Sequence, residues 1–254
     1  TQLDLLDEFS YPIEMEVVEK AFMSFQWPMQ IMLDVSNSER SLDSQKQKFM
    51  EKLHQEKTIF ENDMMKYEED LEWVKTLGDY RVANKVATRI YRLKDDLDRA
   101  KERVQSFIDR EKLFGIDTSD YSELDAMIEG FEPFFKLWTS AIDFKHSEEE
   151  WLNGPLSRLD AAEIDTSVEE QFKESYKMFK QFDGFESPQA VAKDLREDIG
   201  SFRLNMPVIH AICQEAFQPM HFIMLFDELD TDMDMEDGLS LQQLLELGIL
   251  DHLE

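Results

Sequence analysis

Apolar residues recur at threes and fours along nearly the whole chain, which is the spacing of one face of an α-helix. Near the start the pattern reads Leu5, Leu6, Phe9, then Ile13, Val17, Val18, Ala21, Phe22 and Phe25, with Ser10-Tyr11-Pro12 as a stop and restart. Trp27-Pro28 predicts the end of that helix, because the residue before a proline is pushed out of the αR region. Asp34 to Ser38 then reads as a turn or a new start. The most regular stripe follows at Leu42, Phe49, Leu53, Phe60, Met64, Tyr67, Leu71, Val74 and Leu77. It predicts a helix from about Ser38 to Leu77, roughly 60 Å long at 1.5 Å per residue. Gly78-Asp79 breaks it, glycine suiting a left-handed C′ position and aspartate the next N-cap. A second stripe runs Val82, Val86, Ile90, Leu93, Leu97, Ala100, Val104, Phe107. Two long amphipathic helices with so short a break fold back as an antiparallel αα-hairpin. Each carries one stripe, so a third element is needed to cover what the pair leaves open.

Glu111 to Asp117 closes this hairpin, with Gly115 as the break. Asp117-Thr118-Ser119 starts a helix through Tyr121, Leu124, Phe131, Phe134, Leu137 and Trp138, which Pro133 is expected to kink. Ser147 to Trp151 adds a further helical turn that Gly154-Pro155 ends. Asp165 or Thr166-Ser167 reads as the cap of a helix carrying Val168, Phe172, Tyr176, Phe179 and Phe182. Ser187-Pro188 starts another through Val191, Leu195, Ile199 and Phe202, and Pro207 a further one through Ile212 and Phe217. Pro219 interrupts, His221 to Phe226 is a short apolar segment, and Asp227 to Asp237 an acidic loop. Leu239 to Leu250 reads as a last helix whose partner lies beyond the sequence. The expectation is an all-α protein: an elongated helical bundle, with lead-in helices over 1–37, a long antiparallel hairpin over 38–112 and a multi-helix bundle over 113–254.

Composition agrees, with eight glycines and seven prolines in 254 residues. The net charge of −29 changes the picture more. Phosphate backbones and anionic lipid repel such a polyanion, so neither nucleic acid nor membrane is expected as a partner. The charge is unevenly shared within the hairpin. Arg81, Lys85, Arg89, Arg92, Lys94, Arg99, Lys101 and Arg103 crowd its second helix, while Glu51, Glu56, Glu61, Asp63, Glu68, Glu69, Asp70 and Glu72 lie on its first. Facing charges of opposite sign set orientation more than stability, since exposed pairs contribute only ~0–1 kcal/mol each. A single cysteine, Cys213, excludes an internal disulfide and fits a reducing compartment. No signal peptide or apolar membrane span is legible. The start at Thr1, without methionine, reads as an excerpt from a longer chain.

Catalytic chemistry is sought and not found. GxxxxGK[ST] is absent, and no two glycines are spaced as GxGxxG requires. Asp230-x-Asp232-x-Asp234 resembles the start of a calcium loop, but Met235 stands where the sharp turn needs glycine and Leu241 where a bidentate glutamate belongs. Glu51-x-x-His54 is a lone match to a di-iron spacing that needs two such motifs. Cys213 near His210 or His221 lies on an apolar face, where a thiol is buried and inert. No catalytic, cofactor or metal residue is assigned.

What remains is an ordered set of motifs: Leu5-Leu6-x-x-Phe9-x-Tyr11, then Phe25-x-Trp27-Pro28; Asp109-Arg110-Glu111-Lys-Leu113-Phe114-Gly115; Leu137-Trp138; Trp151-x-x-Gly154-Pro155; Pro207-x-Ile209-x-x-Ile212-Cys213; His221-Phe222; and Leu244-Leu245-x-Leu247-Gly248. In this order they resemble the N-terminal linker region of dynein heavy chains, and the form ending in Phe114-Gly115 is similar to axonemal members. One departure stands out: Met220-His221-Phe222 replaces the family's Arg-His-Trp, and Gln214 its asparagine. The resemblance implies a non-catalytic mechanical arm at the junction of tail and linker. ATP and magnesium would bind an AAA+ ring outside these residues. Implied partners are the rest of the heavy chain and other dynein heavy, intermediate and light chains, with microtubules only indirectly, in the cytoplasm and the axoneme of cilia or flagella. The rival expectation is a spectrin-like or adaptor bundle that scaffolds other proteins, which explains the hairpin but not the ordered motifs.

Overall fold

Apolar periodicity and helix caps set the elements of the computed structural model, which describes residues 4–5, 8–9, 14–214, 216–217, 219–228 and 239–252. The helices are α1 Met15–Thr76, α2 Ala83–Phe114, α3 Ser122–Asn153, α4 Ala161–Gln181, α5 Glu186–Phe202, α6 Met206–Ile212, α7 Pro219–Glu228 and α8 Leu241–Glu246. Short 3₁₀ turns occupy Tyr80–Val82, Leu156–Arg158, Arg203–Asn205 and Ile249–His252. No strand forms among the described residues beyond an isolated antiparallel bridge between Pro155 and Ser240. The chain is all-α.

Several helix ends differ from those the sequence predicts. Neither Trp27-Pro28 nor Asp34 to Ser38 stops α1, which runs through both. Proline in a helix interior costs ~3 kcal/mol, but it is flanked on both sides by Met, Gln, Leu, Ala and Glu, whose preference for helix accumulates over many residues. Pro133 likewise lies inside α3, which continues without a restart at Ser147 and begins only at Ser122, where the Asp120 carboxylate accepts from the Ser122 amide at 2.9 Å. The cap of α4 is Asp160, accepting from Ala162 and Glu163 at 2.9 and 3.1 Å, rather than Asp165 to Ser167. An aspartate followed three residues later by a glutamate is a capping pattern legible in the sequence. Helix α6 ends at Ile212, and α8 is shorter than the stretch from Leu239 to Leu250. Leu241 and Leu244 of α8 are fully buried, with α3 as the neighbour, so its partner is inside the chain. Gly78 does not adopt the left-handed conformation; a Cβ there would lie 3.3 Å from the Ser187 Cβ, so close approach to α5 is what glycine serves. Asp79 does cap, accepting from the Arg81 amide at 3.0 Å. The calcium-like Asp230 to Asp234 loop and residues 6 and 10–13 of the lead-in fall outside the described residues.

The chain divides into two compact units, residues 1–60 with 106–118, and residues 61–105 with 119–254. In the first, α1 meets the end of α2. Phe60 packs edge-on against Phe107 at 5.6 Å, Arg110 donates to Glu56 at 2.6 Å, and Lys57 donates to Glu111 at 2.7 Å. From Glu56 and Lys57 to Phe60 the partners step back from Arg110 and Glu111 to Phe107, the order of antiparallel neighbours. The motif residues close α2 by a Schellman pattern: Ile116 donates to the Glu111 carbonyl, Gly115 to that of Lys112, and Gly115 sits at φ +70°. Leu42 and Phe49, expected in the stripe, are exposed, as are Phe22, Phe25 and Trp27.

In the second unit Arg103 donates to Asp63 at 2.9 Å, and Arg89 reaches Asp70 while stacking 3.7 Å over Trp73. The Arg103 guanidinium holds the Asp63 carboxyl below its ordinary value, against the opposing effect of burial. Arg92 and Arg99 instead pair with Asp96 on their own helix. The third element that covers α2 is α3, through Tyr91 against Phe135 at 5.9 Å and Lys94 to Glu132 at 3.6 Å. Helices α3, α4 and α5 then close a core around Phe131, Trp138, Phe144, Val168, Leu195 and Ile199.

The buried pair predicts a direct test. Glu111 is fully buried and Lys57 about a quarter exposed. Lys57→Met takes the ammonium from that carboxylate and should cost about 3 kcal/mol. Lys57→Met/Glu111→Leu should recover most of it, both read from urea unfolding midpoints; equal losses in the two variants would refute the assignment. A second test concerns pH. Hydrogen bonds from Lys136 and Lys177, both 2.6 Å, bring Glu174 down to about 2 from 4.5. A depressed carboxylate stabilises above its unfolded value and loses that contribution as pH falls from 4.5 toward 2. Glu174 is exposed enough that screening limits the effect to about 1 kcal/mol or less. Glu174→Gln should therefore flatten thermal stability across that window and change little below it.

Candidate functional site

Gly154 ends α3 because nothing larger fits. Its amide donates to the Glu150 carbonyl at 2.9 Å, and a Cβ would stand 2.4 Å from that same oxygen. The backbone then leaves helical geometry at φ −72°, ψ 163°, and Pro155, with φ −66°, carries it on extended. Three distant segments fasten onto this turn. Pro155 bridges Ser240, and the Leu156 amide donates to the Leu239 carbonyl at 3.0 Å. Ser240 opens α8 by a capping box with Gln243, each side chain bonding the other's backbone amide. Trp151 lies 5.0 Å from Phe202 at the end of α5, and Phe144 meets the same ring at 6.3 Å. Cys213, at the end of α6, donates its thiol to the Leu159 carbonyl at 3.4 Å. Burial pushes that thiol up, the Asp160 charge adds to the effect, and the Ala161 amide opposes it. A thiol so placed fastens and does not attack.

Beside the turn opens a cleft of about 410 Å³ lined by Ser147, Glu150, Trp151, Arg158, Glu163 and Ser167 among others. It presents an indole, a guanidinium, hydroxyls and carboxylates. The Asp160 carboxylate at its edge is already committed to capping α4. Nearby, a polar knot ties the connection between α1 and α2 to α3 and α5. Asp198 accepts from the Tyr80 hydroxyl at 3.0 Å and from Lys145 at 2.6 Å, while Lys145 also reaches Glu148 at 3.4 Å. Burial, then the Asp198 charge, pushes the Tyr80 phenol well up, and the same two causes raise Glu148. Burial works against the Lys145 charge, but Asp198 and Glu148 outweigh it and hold the ammonium.

The family model for the dynein heavy chain, N-terminal region 2, matches residues 124–254, the stretch that builds this turn. The chain belongs to the dynein heavy chain family. Dynein axonemal heavy chain 1 of Mus musculus is 26% identical over 258 residues, 99% of this chain and 6% of that relative. The same protein of Homo sapiens is 25% identical over 257 residues. Dynein axonemal heavy chain 3 of Homo sapiens is 25% identical over 160 residues, 63% of this chain. The chain thus spans about 6% of the length of the first relatives it matches.

Of the motif residues in this dynein heavy chain sequence, Trp151, Gly154 and Pro155 form the turn, and Cys213 fastens to it. Pro207 stands in the first turn of α6, where its missing amide costs nothing, and Ile209 behind it is fully buried. Trp138 is fully buried, and its indole N–H has no hydrogen-bond partner among the described residues, so its part is volume. His221 and Phe222 sit on α7 around Phe217 at 5.5 and 4.8 Å, with Phe226 6.2 Å beyond. Trp27 and Pro28 on α1, and Phe114 and Gly115 at the end of α2, belong to the other unit. Sequence reasoning misses Phe202, Ser240, Asp160 and the Tyr80–Asp198–Lys145 knot. The caps leave a spacing signal; the knot joins residues 118 apart and leaves none.

Gly154→Ala should destabilise the fold by about 1–3 kcal/mol, as overpacking against fixed backbone does. It should also speed amide exchange at Leu156, whose partner is across the turn. Stability within about 0.5 kcal/mol of the parent, with Leu156 still protected, would refute that reading of the glycine.

Proposed function

We propose that this chain is a non-catalytic mechanical segment at the tail–linker junction of an axonemal dynein heavy chain. It passes the ATP-driven shape change of an AAA+ ring, outside these residues, toward the tail. Axonemal placement rests on the relatives, dynein axonemal heavy chains 1 and 3. The partners that follow are the rest of the heavy chain, other dynein heavy, intermediate and light chains, and microtubules only indirectly, in the axoneme of cilia or flagella. No helix among the described residues is long and apolar enough to cross a membrane.

The turn at Gly154 is the observation that carries the reading. Segments ending α3, α5 and α6 and preceding α8 are held there by caps, a bridge and ring contacts. A displacement applied to one helix is then passed to the others instead of being absorbed in a loop. Transmission of this kind needs discrete contacts of fixed register, not proximity alone. Trp151→Ala in the native-length protein should loosen the turn and uncouple motion from hydrolysis. Gliding velocity should fall at least about two-fold while basal ATP hydrolysis stays within about two-fold of the parent. Amide exchange that rises around Leu156 with velocity unchanged would overturn the proposal.

A further inference from the structure

Against a net charge of −29, one face of the second unit is basic. Helices α4 and α5 run side by side there. Lys173 and Lys180 on α4, Lys193 and Arg196 on α5, and Arg203 just past its end lie there, with ion pairs running to the carboxylates of Glu169 and Glu197. Glu169 takes Arg203 and Lys173, and Glu197 takes Lys193. Arg196 and Lys180 have no carboxylate partner among the described residues. Both are held in place all the same. The Arg196 guanidinium lies 5.1 Å from the Phe172 ring and 4.8 Å from the Tyr176 ring, and Lys180 lies 4.5 Å over Tyr176. Arg203 approaches the opposite end of the same platform, 4.7 Å from Phe172.

Like charges gathered on shared rings repel one another, and cation–π contact returns only ~0.5–2 kcal/mol each. The chain has 56 acidic against 27 basic residues, yet the one carboxylate on the rim beside Arg196, Glu197, pairs with Lys193 instead. The platform adjoins a groove of about 250 Å³ whose floor is Phe172 and Phe179 and whose rim is Lys193, Arg196 and Glu197. Arg196 is thus a pre-oriented fork with its apolar faces covered and its donors open, the geometry that takes a carboxylate bidentately.

We propose that this groove docks an acidic peptide segment of a partner protein, one carboxylate seated on Arg196, an apolar side chain on the Phe172 and Phe179 floor, and a second carboxylate on Lys180 across the Tyr176 ring that it shares with Arg196. The small size of the basic area selects this occupant over extended polyanions. At physiological salt a charge is felt over about 8 Å, so a short acidic segment meets only the groove. Nucleic acid or an anionic bilayer would spread onto the surrounding acidic surface and be repelled. Lys180 also lowers the Tyr176 phenol from its ordinary value, as a cation held close to it must.

The test uses the protein at its native length and a fluorescein-labelled peptide of repeating Glu-Leu-Glu, with a Gln-Leu-Gln peptide, single-stranded RNA and phosphatidylserine vesicles as comparisons. The glutamate peptide should bind and the glutamine peptide should not. Arg196→Gln should weaken binding at least about ten-fold, and Arg196→Lys by an intermediate factor, because the charge stays while the fork is lost. Glu197→Gln removes the competing rim carboxylate and frees Lys193, so it should tighten binding several-fold, a gain that misfolding cannot produce. Binding of both peptides alike, tighter binding of RNA or vesicles, no binding of the glutamate peptide at millimolar concentration, or an unaltered affinity in Arg196→Gln and Glu197→Gln would each overturn the proposal.

Discussion

The aromatic seam between α3, α4 and α5 is what the second unit depends on. Phe134 meets Phe182 at 5.0 Å, and Phe202 takes Phe144 on one side and Trp151 on the other. Burying one such side chain contributes about 1.5–3 kcal/mol, and a well-placed aromatic pair adds about 0.5–1.5. The ion pairs that decorate the same helices contribute ~0–1 kcal/mol each where exposed. The seam therefore fixes which helices pack, and the charges decide among orientations the seam would tolerate. That division suits a chain this acidic, whose basic residues serve as clips between helices: Arg89 to Asp70, Arg103 to Asp63, Lys136 to Glu174.

Clips of this sort confer direction. An apolar stripe packs nearly as well after sliding by one helical turn, because leucine and phenylalanine offer no register of their own. Arg110 on Glu56 and Lys57 on buried Glu111 do not survive such a slide. Sliding takes an ion-pair partner from the buried Glu111 carboxylate, and the penalty falls on the wrong register. The motif residues from Asp109 to Gly115 gain a physical account here, since they supply two clip partners and the left-handed glycine that ends α2.

Much of the helix content was legible, and the reason is that it rests on period alone. The stripe from Leu53 to Val74, the one from Ile90 to Phe107, and the buried set from Leu124 to Phe144 follow threes and fours without exception worth correcting. Helix ends depart from the local signal wherever it competes with a longer one. Pro28 breaks a short helix but not one with thirteen residues before it and dozens after. Asp165, Thr166 and Ser167 are good caps in isolation, yet Asp160 caps first and leaves them inside the helix. Gly78 looked like a left-handed residue because most glycines after helices are; its reason is Ser187, more than a hundred residues away, which no local pattern contains. The turn was half visible, through Trp151, Gly154 and Pro155, while Phe202, Leu239 and Ser240 reach it only through the fold.

A seam and a turn resist different motions. Helices joined by apolar seams can shear, each side chain trading one neighbour for the next at small cost. The contacts at Gly154 cannot: a carbonyl that accepts from Leu156 either keeps its donor or loses it, and the Ser240 capping box fails as a unit when its backbone shifts. The cramped approach of Gly154 to Glu150 leaves no room to rotate the turn without unwinding the end of α3. Stiffness along the helices and fixed register where they meet are separate properties, supplied by separate residues. A segment that relays displacement requires both, which is why the Trp-Gly-Pro turn, rather than the longer and better packed helices, marks the place where relay would fail first.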